Sequence, residues 1–160
     1  MRRNLALVAL CLGTALPLAA QAGSSRLELS GFSGLFGAVT IASFDDEYLV
    51  APTPVTWTLQ RVNGAGNPTR TMTLRMNAQS GTFAGGTGNK LISDLEWQRA
   101  STPNSWQSMT TTPVVITSIV RGNPSSTSGD IEFRIRMPWA TTPPGNYTAT
   151  VVWTMTITPP

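Results

Sequence analysis

The chain has no histidine, and its single cysteine, Cys11, lies in the first segment. Without histidine the commonest general base and the commonest metal ligand are both missing. With no imidazole and no second thiol, neither a Ser–His or Cys–His nucleophile nor a zinc site of the usual kind can be assembled. One cysteine also excludes a disulfide within the chain, so the fold must rest on its core and its backbone pairing alone. Charge is scarce as well: Asp, Glu, Lys and Arg make up 12% of the residues, about half the usual share. Threonine, serine and asparagine take over the solvated positions. No stretch repeats its apolar residues with a helical period.

What is present begins with a leader. Arg2 and Arg3 precede an apolar run from Leu5 to Leu18, and Ala20-Gln21-Ala22 offers small residues two apart. This is the three-part layout of a secretory signal, so residues 1–22 are expected to be cleaved and 23–160 to form the mature domain. The run is short for a membrane span and is broken by Gly13 and Pro17. Leu10 is too large to precede a lipidated Cys11. Removal of Arg2 and Arg3 takes the net charge from +3 to near +1, which speaks against a nucleic-acid partner. Arg61, Arg70, Arg75, Arg134 and Arg136 are moreover interleaved with acidic residues. The expected location is secreted and cell-surface associated, with no membrane span after cleavage and no cofactor.

The mature segment reads as strands. From Tyr147 to Ile157 every second residue is apolar (Tyr147, Ala149, Val151, Trp153, Met155, Ile157), and threonines fill most positions between. A strand places alternate side chains on opposite faces, so this is one long strand with an apolar and a threonine-rich face. Ile131, Phe133, Ile135 and Met137 alternate in the same way with Asp130, Glu132, Arg134 and Arg136. Val55, Trp57 and Leu59 share one face of a strand that follows Pro52 and Pro54, and Met72, Leu74 and Met76 share a face of the next. The turn residues at 63–68 predict that these two form a hairpin. Leu91–Arg99 and Pro113–Arg121 add strands, Gly81–Gly88 reads as a mobile loop, and Asn123–Gly129 reads as a turn. The sum is an all-β, single antiparallel β-sandwich, Ig-like, with seven to eight strands. The hydrophobic segment 23–42 is a first strand of its own domain, or a swapped strand that mediates self-association with a neighbouring subunit.

Few residues invite chemistry. Asp45, Asp46 and Glu47 form the one acidic cluster, a solvated loop or a weak calcium site that needs oxygen ligands from elsewhere. Asp94, Glu96, Asp130 and Glu132 supply carboxylates for a glycosidase on paper, but their spacing places them on the solvent phase of their strands. Of the five tryptophans, Trp57, Trp97 and Trp153 fall on apolar phases. Trp106 and Trp139 lie in connections, where an aromatic either covers the core or contacts a glycan or partner. An enzyme is not expected.

Trp57-Thr58-Leu59 is a W-x-L tripeptide, and the final strand carries Tyr147, Trp153 and Met155 just before the terminal prolines. The chain in this respect resembles the WxL domain of bacterial surface proteins, although Met155 stands where the second motif has leucine. That resemblance implies non-covalent attachment to cell-wall polymer, with Trp57, Leu59, Tyr147, Trp153 and Met155 in the motif positions. Pro144-Gly145-Asn146-Tyr147-Thr148, the approach to the last strand, is also similar to that of secreted coat and fimbrial subunits of the spore-coat-U type. By that resemblance the partner is another envelope protein or a further copy, engaged by exchange of the N-terminal strand through residues 23–42.

Overall fold

In the computed structural model of the protein, residues 7–9, 25–31, 35–38, 47–61, 70–85, 89–121, 125–138, 142 and 146–158 are described. Their strands are β1 (Leu7–Ala9), β2 (Ser25–Gly31), β3 (Leu35–Ala38), β4 (Tyr48–Val50), β5 (Val55–Arg61), β6 (Arg70–Ala78), β7 (Leu95–Arg99), β8 (Gln107–Ser108), β9 (Val114–Arg121), β10 (Ser125–Arg136) and β11 (Val151–Thr158). The larger sheet runs β2-β5-β10-β7-β8, with β4 also on β10, and the smaller runs β11-β6-β9. β1 and β3 pair with each other, which sets three residues of the expected leader against Leu35–Ala38. All these pairings are antiparallel. Among the described residues no helix is long and apolar enough to cross a membrane.

The alternation in the sequence decides which face each strand buries. Val55, Trp57 and Leu59 of β5, Leu95 and Trp97 of β7, and Ile131, Phe133 and Ile135 of β10 point inward from the larger sheet. Met72, Leu74 and Met76 of β6 and Val151 and Trp153 of β11 point inward from the smaller one, and all belong to one buried cluster. The two sheets therefore share one core, the layered arrangement of a β-sandwich. Burial of each large side chain contributes roughly 1.5–3 kcal/mol, and no disulfide assists.

The two sheets hold nine strands among the described residues, more than the alternation alone predicts, because one edge is interrupted. β5 pairs with Ser125–Ile131 of β10, and β4 continues along the same edge against Arg134–Arg136. Between them Pro52 and Pro54 cannot donate to the ladder. The chain bulges there, and Ala51 N–H alone reaches across to Phe133 O at 2.9 Å.

Three expectations need correction. β5 and β6 do not form a hairpin: they lie in different sheets, because two strands that each carry a full apolar row bury both rows by facing each other across the core. The turn expected over Asn123–Gly129 is shorter, since Ser125–Gly129 already pairs with β5. Gly129 sits directly opposite Trp57, and a Cβ there would lie 2.7 Å from the indole, so the glycine makes room for the ring. Finally, the long last strand begins its ladder at Val151. Residues 147–150 bond instead to the 79–84 segment, with Ala84 and Thr148 exchanging N–H···O bonds at 2.8 Å and Gln79 N–H reaching Thr150 O at 2.9 Å.

The same contacts fix the first half of the glycine-rich loop. Phe83 is buried, its N–H donates to Lys90 O, and Ile92 N–H donates to Gly81 O. Residues 86–88 lie outside the described residues. After the loop a 3-10 turn, Ile92–Asp94, precedes β7 and replaces the first residues of the expected strand. Lys90 is almost wholly buried and bridges from there to β10, donating to Asp94 Oδ2 at 2.9 Å and to Arg136 O at 2.7 Å.

Candidate functional site

β10 is central in the larger sheet, and its inward residues Ile131, Phe133 and Ile135 force Asp130, Glu132, Arg134 and Arg136 onto the outer face. That face is charge-segregated along the strand, acidic at one end and basic at the other. Four carboxylates on or beside it have partners. Asp130 accepts from Thr56 Oγ1 at 2.6 Å, Glu132 from Gln98 Nε2 at 2.6 Å, and Glu96 Oε2 from Arg134 Nε at 2.6 Å. Asp94 holds Lys90. The four carboxylates thus serve as cross-strand and turn partners, where the strand phase alone predicted only solvent.

At the basic end two aromatics converge on Arg134. Its guanidinium carbon lies 3.8 Å from the Tyr48 ring centre and 4.3 Å from that of Trp106. Both rings therefore pack against the one guanidinium. Tyr48 comes from β4, which pairs with the end of β10 and sets Tyr48 opposite Arg136. Trp106 comes from the connection between β7 and β8, which is tied at several points. Ala100 N–H donates to Asp130 O at 3.0 Å and Thr102 N–H to Arg99 O at 2.9 Å, Ser105 N–H reaches Gln98 Oε1 at 3.1 Å, and the Ser105 hydroxyl bonds Thr102 O. Asn104 takes a left-handed conformation, φ 63°, which this residue type tolerates. The loop is built to hold Trp106 over Arg134. Stacking of this kind contributes about 0.5–2 kcal/mol per contact.

The remaining sequence candidates lie elsewhere. Trp57, Leu59, Tyr147 and Trp153 are buried in the core, and Met155 is half-buried against it. Burial pushes the Tyr147 phenol above its ordinary pKa. Asp45, Asp46 and Trp139 lie outside the described residues. Glu47 is exposed at φ 58°, and its carbonyl accepts from Met137 N–H. Among the described residues no three His, Cys, Asp or Glu side chains gather as metal ligands. The arginines do not share one face: Arg61 is buried, Arg75 bonds Thr156 on the smaller sheet, and Arg134 and Arg136 lie on the larger.

An open depression of about 380 Å³ lies where the 79–84 segment meets residues 148–150, floored by Phe83, Ile92 and Ala149. Its polar lining is the hydroxyls of Ser80, Thr82, Thr148 and Thr150 and the amide of Gln79, with no ionisable group. Sequence reasoning singled out Trp106 but missed Tyr48, which follows the acidic cluster and carries no periodic signal of its own. Arg134 was legible as an outward position and as one of five arginines weighed for a nucleic-acid face, not as the centre of an aromatic cluster.

Compared with known proteins, the chain matches no family model, and no curated protein matches it.

Proposed function

We propose that the chain is a secreted, non-enzymatic cell-surface module that attaches non-covalently to the cell wall or envelope surface, in the manner of the WxL domains it resembles. The observation that carries this reading is the Tyr48–Arg134–Trp106 stack. It is an aromatic and charged cluster held at the outer face of a sheet by a loop tied down at several points. The carboxylates that a hydrolase would require are instead engaged with neighbours, as are the ammonium of Lys90 and the Nε of Arg134. The WxL-like motif residues act in this reading through the core that shapes the sheet, and the outer face meets the ligand. Fractionation of cells expressing the full chain tests it. The protein is expected in the wall or envelope fraction with its N-terminus at Gly23, and to be released by denaturant without cleavage of any bond. Recovery of the uncleaved chain from the cytosol contradicts it.

One observation favours a second reading, a subunit of an extracellular filament or coat. β2 is an edge strand bonded only to β5 among the described residues, and none of its side chains is fully buried. Its far end is fixed by Gly31, φ 101°, where a Cβ would lie 2.2 Å from Pro54 O. A strand held along one edge is the element that strand exchange would move. Light scattering on residues 23–160 separates the two readings. A concentration-independent monomer supports the wall module, and growing polymers that vanish on removal of residues 23–31 support the subunit.

A further inference from the structure

We infer that Arg134 is a preorganised carboxylate receptor, and that the outer face around it binds a saccharide bearing a carboxylate. The inference deepens the cell-surface reading above and rests on it for the saccharide. The guanidinium is a planar fork with five N–H donors. The Tyr48 and Trp106 rings pack against it, their centres 3.8 and 4.3 Å from its carbon, and its Nε is held by Glu96 at 2.6 Å. Neither terminal nitrogen has a hydrogen-bond partner among the described residues, and the side chain keeps 20% of its surface exposed. The two terminal nitrogens thus keep N–H donors to offer, the pair that takes a carboxylate through two parallel bonds.

Three contacts fix the fork before any ligand arrives, so binding loses little rotamer freedom. Glu96 offsets one positive charge, but exposed Arg136 lies on the same face two residues along, about 7 Å away by strand geometry. Arg134 and Arg136 are matched in formal charge by Glu96 and by exposed Glu47, whose carbonyl accepts from Met137 N–H, so the attraction for a carboxylate comes from the terminal N–H donors of Arg134 rather than from a net charge. Tyr48 and Trp106 are each half-exposed and present apolar ring surface beside the fork. A sugar ring offers C–H groups for that surface and hydroxyls for the surrounding water, which a free carboxylate does not. The arrangement fits an acidic saccharide unit better than a bare anion or a neutral glycan.

The test is titration of the chain, residues 23–160, with tetragalacturonic acid and with its methyl ester, followed by calorimetry. The acid is expected to bind and the ester to bind at least about tenfold more weakly, since esterification removes the charge-assisted bonds. Arg134→Lys, which keeps the charge and the reach to Glu96, is expected to weaken the acid about tenfold by losing the two-bond geometry. Equal affinity for acid and ester, no binding of the acid, or a well-folded Arg134→Lys chain that binds as wild type each overturns the inference. The acid–ester comparison uses only the wild-type chain and stands even if the variant fails to fold. Sedimentation with purified walls separates the two ideas. If wild type and Arg134→Lys pellet equally and the acid does not bind, the receptor is wrong and the surface reading survives. If Arg134 binds the acid but the chain ignores walls, the receptor survives and the wall reading falls.

Discussion

At the scale of the residue, two positions carry more than their size implies. Gly129 lies opposite Trp57, so Gly129→Ala must displace the buried indole that its Cβ would meet at 2.7 Å. The expected loss is about 1–3 kcal/mol, the usual penalty for overpacking, read as a lowered urea midpoint with unchanged slope. Lys90 is a buried ammonium with two short bonds, one of them to a backbone carbonyl of β10. Lys90→Met keeps its length but leaves Asp94 and Arg136 O without their donor, at a cost of about 1–3 kcal/mol. Lys90→Ala should lose more, because it also empties the volume that the side chain fills. A Met variant as stable as wild type would show that the bonds contribute nothing net.

At the scale of the element, bulges and cross-sheet contacts decide what the strand pattern leaves open. In β9 the register against β6 skips Ile116, an extra residue that a bulge leaves outside the ladder. Arg99 of β7 donates to that residue's carbonyl from Nη2 at 3.0 Å and Nε at 3.3 Å, so the larger sheet is bonded to the smaller one through its irregularity. Arg99→Ala is expected to cost about 1–3 kcal/mol by stripping a carbonyl of its charged donors, and to raise amide exchange in β9 before that in β6. The sequence marks Ile116 only as one of several apolar residues, because the phase change of a bulge looks like noise in an alternating pattern. The inward rows of β5, β6, β10 and β11 were legible for the opposite reason: period-two alternation leaves one choice of face. Which strands pair was not legible, since Met72 and Leu74 fit a hairpin with β5 as well as they fit the facing sheet. Tyr48 was missed because three residues beside two prolines carry too little pattern, and Arg134's partners come from connections far apart in sequence.

At the scale of the whole molecule, a core without disulfides has to stay packed on its own, and Tyr147 reports on that. Its phenol is buried and its pKa lies above the ordinary value because burial disfavours the charged form. In the unfolded chain the phenol ionises near pH 10. Below that pH both states hold the proton and stability is unaffected. Above it the unfolded state gives up the proton first, so stability falls as the pH climbs from about 10 towards the folded value. Tyr48→Phe leaves Tyr147 as the one tyrosine of the two in the chain, and its tyrosinate absorbance is expected to appear together with the loss of tertiary structure. Tyr147→Phe should flatten the alkaline decline. The inward rows of the same core leave Arg134 on the outer face beside Tyr48 and Trp106, which is where the proposed activity lies. The most direct test of that activity is co-sedimentation of purified residues 23–160 with purified cell walls over a range of concentrations. A saturable bound fraction, reversed by denaturant and present without any enzymatic release of wall fragments, is the predicted result. A chain that stays in the supernatant at every concentration contradicts the account.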